Sequence, residues 1–514
     1  MRAIGLVAAA FLLVGHVQVF DFVCDDAFIS FRYAANLVEH GELVFNVGER
    51  VEGYSNFLWT VAMALLLWLD LDPVPGSQVA GLAASLGTLA VTAAFHRRLD
   101  RPGSRRTSGW DALAPLLLAS SSAFACWTSG GLETALFTLL LTLASMTLWA
   151  ARHDGETRAA GWGGVWAGLA ALARPEGVLF AAAATLWSLI GARRGPDREA
   201  SNAASLRFIA AFGAVYAPYF VWRWIYYGWF FPNTFYAKSS GLELWWPGAL
   251  YVLDFLVQSQ HLVVLMAIGA WLRPIDDRRD ARITGFALIV TLAFALHVAR
   301  VGGDFMALHR YLVPLLPLLA LAAVRGARAL SRRVLAARSP RAPLLLRSAA
   351  AVFAAALLAQ AVFVARDTLV PRIEFGIDSV GLLRRYSDQW TLAGRWFADH
   401  APADASLAIT AAGAIPYYSG LTTIDILGLT DEWIAHSVPP SILRAGHTRQ
   451  APDAYLLERG VDYLVYHPNI AETPPKPVRR RWGDMGFRWR TVALSDQPPL
   501  WIGFWEQESL GDRN

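Results

Sequence analysis

The chain has 514 residues, 55% of them hydrophobic and only 17% charged, with 21 Trp, two Cys and a formal net charge of +4. An ordinary soluble domain carries about 25% charged residues, so this chain lacks the polar surface to be one. Two cysteines exclude a disulfide scaffold and a four-thiolate zinc site, and arginines scattered between apolar runs exclude a basic nucleic-acid-binding face.

A membrane span needs about 20 mostly apolar residues. In chain order the candidates are 3–20, 77–95, 111–128, 133–151, 208–227, 248–271, 283–300, 311–325 and 345–366. The first is read as an uncleaved helix, because Asp21-Phe22-Val23 before Cys24 is no small-residue cleavage pattern. A further apolar pair, 161–173 and 177–191, is split by Arg174-Pro175-Glu176-Gly177 and reads as two short helices that turn there. The run 56–70 is too short to count as a crossing. This predicts an all-α polytopic membrane domain over 1–366 with about 11 transmembrane helices.

Lys and Arg stay on the cytoplasmic side of a span. Segment 96–106 holds Arg97, Arg98, Arg101, Arg105 and Arg106, and 325–347 holds seven Arg and no acid; the links 191–207 and 272–282 are also Arg-rich. Placing these inside leaves 21–55, 129–132, 174–176, 228–247, 301–310 and everything after about 367 outside. The expected location is the plasma (inner) membrane, with 367–514 on the external, periplasmic side. That last part reads as a small α/β domain: helices at 381–400 and near 452–459 alternate with strand-like stretches at 406–410, 461–466, 486–494 and 499–506.

Polar residues gather in the external connections rather than at mid-membrane. Loop 21–55 carries seven acids, Asp21, Asp25, Asp26, Glu39, Glu42, Glu49 and Glu52, against Arg32 and Arg50. Phe28, Phe31, Leu37 and Val38 recur at helical spacing there and predict an amphipathic interfacial helix. Asp25 and Asp26 precede it. Three readings stand: one caps the helix, one is a general base for a hydroxyl acceptor, or one binds a divalent cation.

The other external connections are Gly131-Leu132-Glu133-Thr134, Arg174-Pro175-Glu176-Gly177, Asn233-Thr234-Phe235-Tyr236-Ala237-Lys238 and Gly302-Gly303-Asp304-Phe305-Met306, followed by His309, Arg310 and Tyr311. Taken singly, Glu133 caps a helix, Lys238 snorkels and Asp304 pairs with Arg310. Taken together, three acids (Glu133, Glu176, Asp304) and three cations (Arg174, Lys238, Arg310) reach one membrane face, where cations can clamp the phosphate of a lipid-linked donor. Tyr226, Tyr227, Trp229, Phe230, Phe231, Trp245 and Trp246 read as an interfacial aromatic belt rather than sugar-stacking platforms.

Asp25-Asp26-Ala27-Phe28-Ile29, then Phe31-Arg32-Tyr33 and Asn36-Leu37, resemble the first external loop of the polyprenyl-phosphate-dependent type C glycosyltransferases. Phe45-Asn46-Val47-Gly48-Glu49-Arg50-Val51-Glu52-Gly53-Tyr54-Ser55-Asn56 with Leu58-Trp59 is closer still to one branch, the actinobacterial terminal β-(1→2)-arabinofuranosyltransferases. The Arg-Pro-Glu-Gly, Asn-Thr-Phe-Tyr-Ala-Lys and Gly-Gly-Asp-Phe-Met…His-Arg-Tyr segments resemble later motifs of that family. So do Gly413-Ala414-Ile415-Pro416-Tyr417-Tyr418 and Asp425-Ile426-Leu427-Gly428-Leu429-Thr430-Asp431.

The resemblance implies a type C fold and an inverting sugar transfer on the outer face. The implied donor is a polyprenyl-phosphate sugar, arabinofuranose first among candidates, and the acceptor a cell-envelope glycan hydroxyl. Asp25 or Asp26 is the implied base, with substrate contacts from Arg32, Glu52, Glu133, Arg174, Glu176, Tyr236, Lys238, Asp304, His309 and Arg310. The resemblance names no cofactor beyond the lipid-linked donor, with a divalent cation an open option on Asp25 or Asp26; membrane lipids are partners and nucleic acid is not. The alternatives are a transporter or flippase of lipid-linked glycans, and a mannosyl- or aminoarabinose-type transferase of the same superfamily. Against transport stand the missing internal repeat and the missing G-x-x-x-x-G-K-[ST] loop.

Overall fold

A computed structural model describes residues 2–100, 110–192, 198–238, 244–272, 278–336, 339–441, 444 and 446–510. Arg101, Arg105 and Arg106 of the first Arg-rich link lie outside the described residues. The chain divides into two units. The first comprises 1–22, 77–221 and 245–370; the second pools 23–76, 222–244 and 371–514.

The first unit is helical. Among the described residues the chain has seven helices long and apolar enough to cross a membrane: Ala3–Phe20, Pro73–Leu99, Thr134–His153, Ser201–Tyr227, Arg279–Val301, Val313–Ala336 and Ala342–Leu369. Two expected spans, 111–128 and 248–271, are instead broken helix pairs. Trp110–Ala119 and Ser122–Ser129 meet at 64°, and Trp245–Gln258 and Gln260–Trp271 at 76°. The first break has a local cause. Ser121 takes an extended conformation and its hydroxyl accepts the Phe124 N–H, which starts a new helix.

The apolar pair after 159 turns where expected. Arg174 is extended (φ −155°, ψ 141°), as a residue before proline is forced to be, and this ends the helix Ala159–Ala173. Glu176–Ala192 then packs back so closely that a Cβ on Gly177 would sit 2.3 Å from the Ala171 nitrogen. At the ends assigned to the cytoplasm, arginines and acids lock helices together. Arg325 bonds Asp100 at 2.6 Å and Asp280 at 2.5 Å, Arg328 bonds Asp100 at 2.5 Å, and Arg98 and Arg279 share Asp154. Acids that dilute the Arg-rich links in sequence are thus counter-ions in space.

The second unit is built on the first external loop and the C-terminal part. Its strands are β1 (Ile373–Glu374), β2 (Ile377–Asp378), β3 (Ser406–Ile409), β4 (Thr422–Asp425), β5 (Tyr463–Tyr466), β6 (Ile470–Ala471), β7 (Phe487–Asp496) and β8 (Pro499–Gln507). Strand β3 lies parallel to β4 and β5, while β8 pairs antiparallel with β5, β6 and β7. The parallel strands are almost wholly buried and read as short apolar runs. Ile424, Leu456, Leu464, Trp482, Phe487 and Trp505 form the core on one side, and Phe397 of the helix Val380–His400 packs on Tyr463 and Phe504.

The first-loop helix, Asp25–His40, is not a surface helix at the lipid boundary. Residues Ala27–Ala34 are all buried. Phe28 and Phe31 meet Tyr417, and Phe28 meets Tyr418, so the apolar face packs on protein rather than lipid. The run expected to be too short forms the helix Phe57–Trp68, whose 12 residues reach about 18 Å, well short of the ~30 Å hydrocarbon core.

Candidate active site

In the second unit, Cys24 occupies the N-cap position with extended backbone (φ −78°, ψ 157°), and Asp25 and Asp26 are the first two helical residues. The capping reading therefore fails by one position. Asp25 Oδ1 instead accepts the backbone N–H of Ala414 at 2.7 Å. A Cβ on Gly413 would fall 2.1 Å from the Asp25 carbonyl oxygen and 2.5 Å from its carboxyl carbon, so only glycine fits there. Asp25 is partly buried. Desolvation pushes its carboxyl up to about 7; the Ala414 N–H opposes this and the neighbouring Asp26 charge adds to it. A carboxylate of that basicity accepts a proton near neutral pH.

Other predicted residues of this unit have structural partners. Arg32 is buried and spends its guanidinium on carbonyls: Phe45 at 2.6 Å, Pro416 at 2.5 Å and Leu421 at 2.7 Å, with the Asn46 amide oxygen at 3.1 Å. It staples the first loop to the C-terminal part. Glu52 is equally buried, in an ion pair with Arg223 that includes a bond of 2.8 Å from Nε. Tyr236 lies in an aromatic group, its ring 4.2 Å from His436 and 5.7 Å from Trp229. Lys238, the last residue of the short helix Asn233–Lys238, is partly buried.

The belt residues divide. Trp229, Phe230, Phe231, Trp245 and Trp246 are exposed. Tyr227 is buried, donating to the Leu43 carbonyl at 2.7 Å, and so belongs to the core of its unit.

In the first unit the turn at 174–177 and the loop after 301 bring five charged residues into two linked groups. Arg174 bonds Glu176 at 2.7 Å and lies 3.4 Å from Glu133. Arg310 bonds Asp304 at 2.8 Å, as one reading of the sequence expects. Both guanidinium groups lie over the Tyr311 ring, at 4.8 Å and 5.3 Å. All but Glu176 are below a tenth exposed, and Glu176 is only slightly more so. The Arg174 Nη1 is buried, and its 3.4 Å contact with Glu133 is an ion pair without hydrogen-bond geometry. His309, at φ 51°, bonds Asp254 at 3.0 Å.

Sequence reasoning missed several of these partners. Arg223 stands in the apolar stretch Val221-Trp222-Arg223-Trp224-Ile225, and an ionisable residue in such a run signals a buried pair. Asp254, in the run 248–271, carried the same signal. Polar groups do also occur along the helices of the first unit. Ser122 meets His16 at 3.3 Å, and the Gln360 amide bonds the Gln258 carbonyl at 2.7 Å. Both Ser122 and Gln258 sit beside the helix breaks.

Among the described residues no three His, Cys, Asp or Glu side chains form a metal-holding group. Asp25 and Asp26 are consecutive helical residues, whose side chains do not face each other.

Residues 380–505 match a family model described as a domain of unknown function (DUF8728). The terminal β-(1→2)-arabinofuranosyltransferase of Mycobacterium tuberculosis is 31% identical over 332 residues, 58% of this chain and 51% of that protein. The chain spans about half the length of the curated relatives it matches. Among solved structures, ArnT from Cupriavidus metallidurans bound to undecaprenyl phosphate superposes with a TM-score of 0.61 at 12% identity, covering 99% of this chain and 98% of that one. Arabinofuranosyltransferase AftD from Mycobacteria gives 0.51 at 14% identity, covering 99% and 40%. The fold is that of type C glycosyltransferases, and the chain is a multi-pass membrane protein.

Proposed function

We propose that this chain is a membrane glycosyltransferase. It moves a sugar, arabinofuranose first among candidates, from a polyprenyl-phosphate donor to a hydroxyl of a cell-envelope glycan on the outer face of the plasma membrane. The observation that carries the reading is Asp25, a partly buried carboxyl pushed up to about 7 and held by the Ala414 N–H. In the proposed step Asp25 takes the acceptor hydroxyl proton as the acceptor oxygen bonds to the anomeric carbon. The bond from that carbon to phosphate breaks, its electron pair leaves with the phosphate, and the configuration inverts.

Arg174 and Arg310 are the proposed phosphate-holding cations of the first unit, and Lys238 that of the second. Glu133, Glu176 and Asp304 keep the two arginines oriented. Asp26 would be the carboxylate to hold a divalent cation, since a cation on Asp25 would hold its pKa down and remove its basicity. Arg32 and Glu52, whose polar groups are committed within the protein, fix the loop that presents Asp25 and do not contact substrate in this reading. The relatives' names support arabinofuranose as the sugar, and ArnT bound to undecaprenyl phosphate supports the donor class.

The broken helices at 64° and 76° favour a second reading, translocation of a lipid-linked glycan, since interrupted helices recur in transporters. One experiment separates the two. Purified protein is incubated with a panel of polyprenyl-phosphate sugars and a glycan acceptor, and in parallel reconstituted into vesicles carrying the same lipids. Sugar transfer that is lost in Asp25→Asn supports the transferase; lipid flipping without transfer replaces it with the transporter.

A further inference from the structure

The first-unit loop 302–312 carries Asp304 and Arg310 on an unusual backbone. Leu308 and His309 are consecutive non-glycine residues at positive φ, 59° and 51°. L residues hold that conformation only where surrounding contacts sustain it. The turn closes where the His309 carbonyl accepts the N–H of Leu312 at 2.8 Å and of Val313 at 3.2 Å. Its twist sets the direction in which Arg310, the next residue, leaves the chain.

The sustaining contacts come from one face of the helix Trp245–Gln258. Tyr251, Asp254, Phe255 and Gln258 stand at i, i+3, i+4 and i+7 and so share that face. The His309 ring is 3% exposed. It packs against Tyr251 at 4.9 Å and Phe255 at 5.7 Å, edge-on to both. Its Nε2–H donates to Asp254 Oδ2 at 3.0 Å, and the Gln258 amide donates to the same oxygen at 3.0 Å. Gly303 presses on the same helix, where a Cβ would fall 2.7 Å from Tyr251 Cγ. From another helix, Trp127 Nε1 donates to the Ala307 carbonyl at 3.1 Å, and the Trp127 ring faces the Arg310 guanidinium at 5.6 Å. The loop is clamped from both sides. Asp254 itself interrupts the apolar run Leu250-Tyr251-Val252-Leu253-Asp254-Phe255-Leu256-Val257. A carboxylate there is costly for a membrane helix, and its retention points to a role beyond the helix.

We infer that Asp254 is a positioning residue for donor binding: through His309 it fixes the turn that directs Arg310 at the donor phosphate. This rests on the phosphate-holding role proposed for Arg310 and adds what keeps that side chain aimed. Without the His309 bond the turn relaxes, and ordering it again on binding weakens the donor's hold.

The test is binding of undecaprenyl phosphate to the purified full chain in detergent, measured by thermophoresis. Arg310→Ala is expected to bind about ten- to a hundredfold more weakly, and Asp254→Ala about tenfold more weakly. Asp254→Asn keeps an oxygen for the His309 N–H and should stay within about threefold of the wild type. Because Asp254 acts through Arg310, the double variant should bind no more weakly than Arg310→Ala alone. An acid with a merely structural role has no such coupling, and its loss would multiply with that of Arg310→Ala. If Asp254→Ala does not fold, His309→Phe, which fills the same seat without an N–H donor, carries the same expectations.

Wild-type affinity in Asp254→Ala, losses that multiply in the double variant, or an Asp254→Asn as weak as Asp254→Ala overturns the positioning role and leaves Arg310 as a phosphate holder. No binding by the wild type, or wild-type affinity in Arg310→Ala, removes the phosphate role and the inference with it. Coupled loss of binding in a protein that transfers no sugar keeps the inference and removes the transferase reading.

Discussion

Asp25→Asn removes a proton acceptor while leaving an oxygen that can still take the Ala414 N–H. A tenfold change in proton affinity is worth about 1.36 kcal/mol. A carboxyl moved from 3.8 to about 7 therefore opposes folding by about 4 kcal/mol once ionised in a fully dry site. Asp25 keeps some solvent contact, so about 2 kcal/mol is expected. The sign follows from the direction of the shift. The unfolded chain releases this proton first, so the cost is absent below about pH 4, grows as the pH rises and is complete above about 7. The Asn variant should thus melt with the wild type at pH 4 and about 4–8 °C higher at pH 8. In the same preparation, transfer should fall by roughly two orders of magnitude or more. Greater stability with less activity marks a group retained for chemistry. A variant that melts lower than wild type at pH 8, or that transfers at the wild-type rate, would refute the reasoning.

Because Asp25 must be ionised to act, kcat/KM for transfer should drop about tenfold per pH step below 7 and level off above it, as a pH–rate profile would show. Replacing Arg310 or Lys238 with Ala should weaken donor binding about ten- to a hundredfold if each holds the phosphate; unchanged donor affinity in both would return them to structural roles. Glu52→Ala strands a buried Arg223, so it should destabilise the second unit by about 3–5 kcal/mol without a specific effect on donor KM. For topology, both native cysteines are buried. A membrane-impermeant thiol reagent applied to intact cells should therefore reach a cysteine at Phe375, which is 98% exposed, and not one at Arg332.

The fold was largely legible in the residues because its signals are local. The strands at 406, 463, 487 and 499 and the turn at Arg174-Pro175 appear within a few residues of their expected places. Strand β4 was missed because Thr422-Thr423-Ile424-Asp425 is too short to show a period, and the helix breaks because one or two serines scarcely interrupt a long apolar run. The charged residues of the first loop were easier to see than their partners. Asp25, Arg32 and Glu52 stood out as charges in one loop, but what each does depends on Ala414, Leu421 and Arg223, which no local pattern connects to them.

The contact between Asp25 and Ala414 joins residues 389 positions apart. At roughly 5–20 residues per second, synthesis delivers the second partner some 20–80 s after the first. Through that interval Asp25 belongs to a loop without its cradle, more open to solvent and more acidic than in the finished fold. Its basicity is therefore acquired late in biogenesis. A truncation after the helix Ala342–Leu369 would keep every residue of the Asp25-Asp26 motif, yet its carboxyl would lose the burial by the C-terminal part and move back toward the ordinary aspartate range.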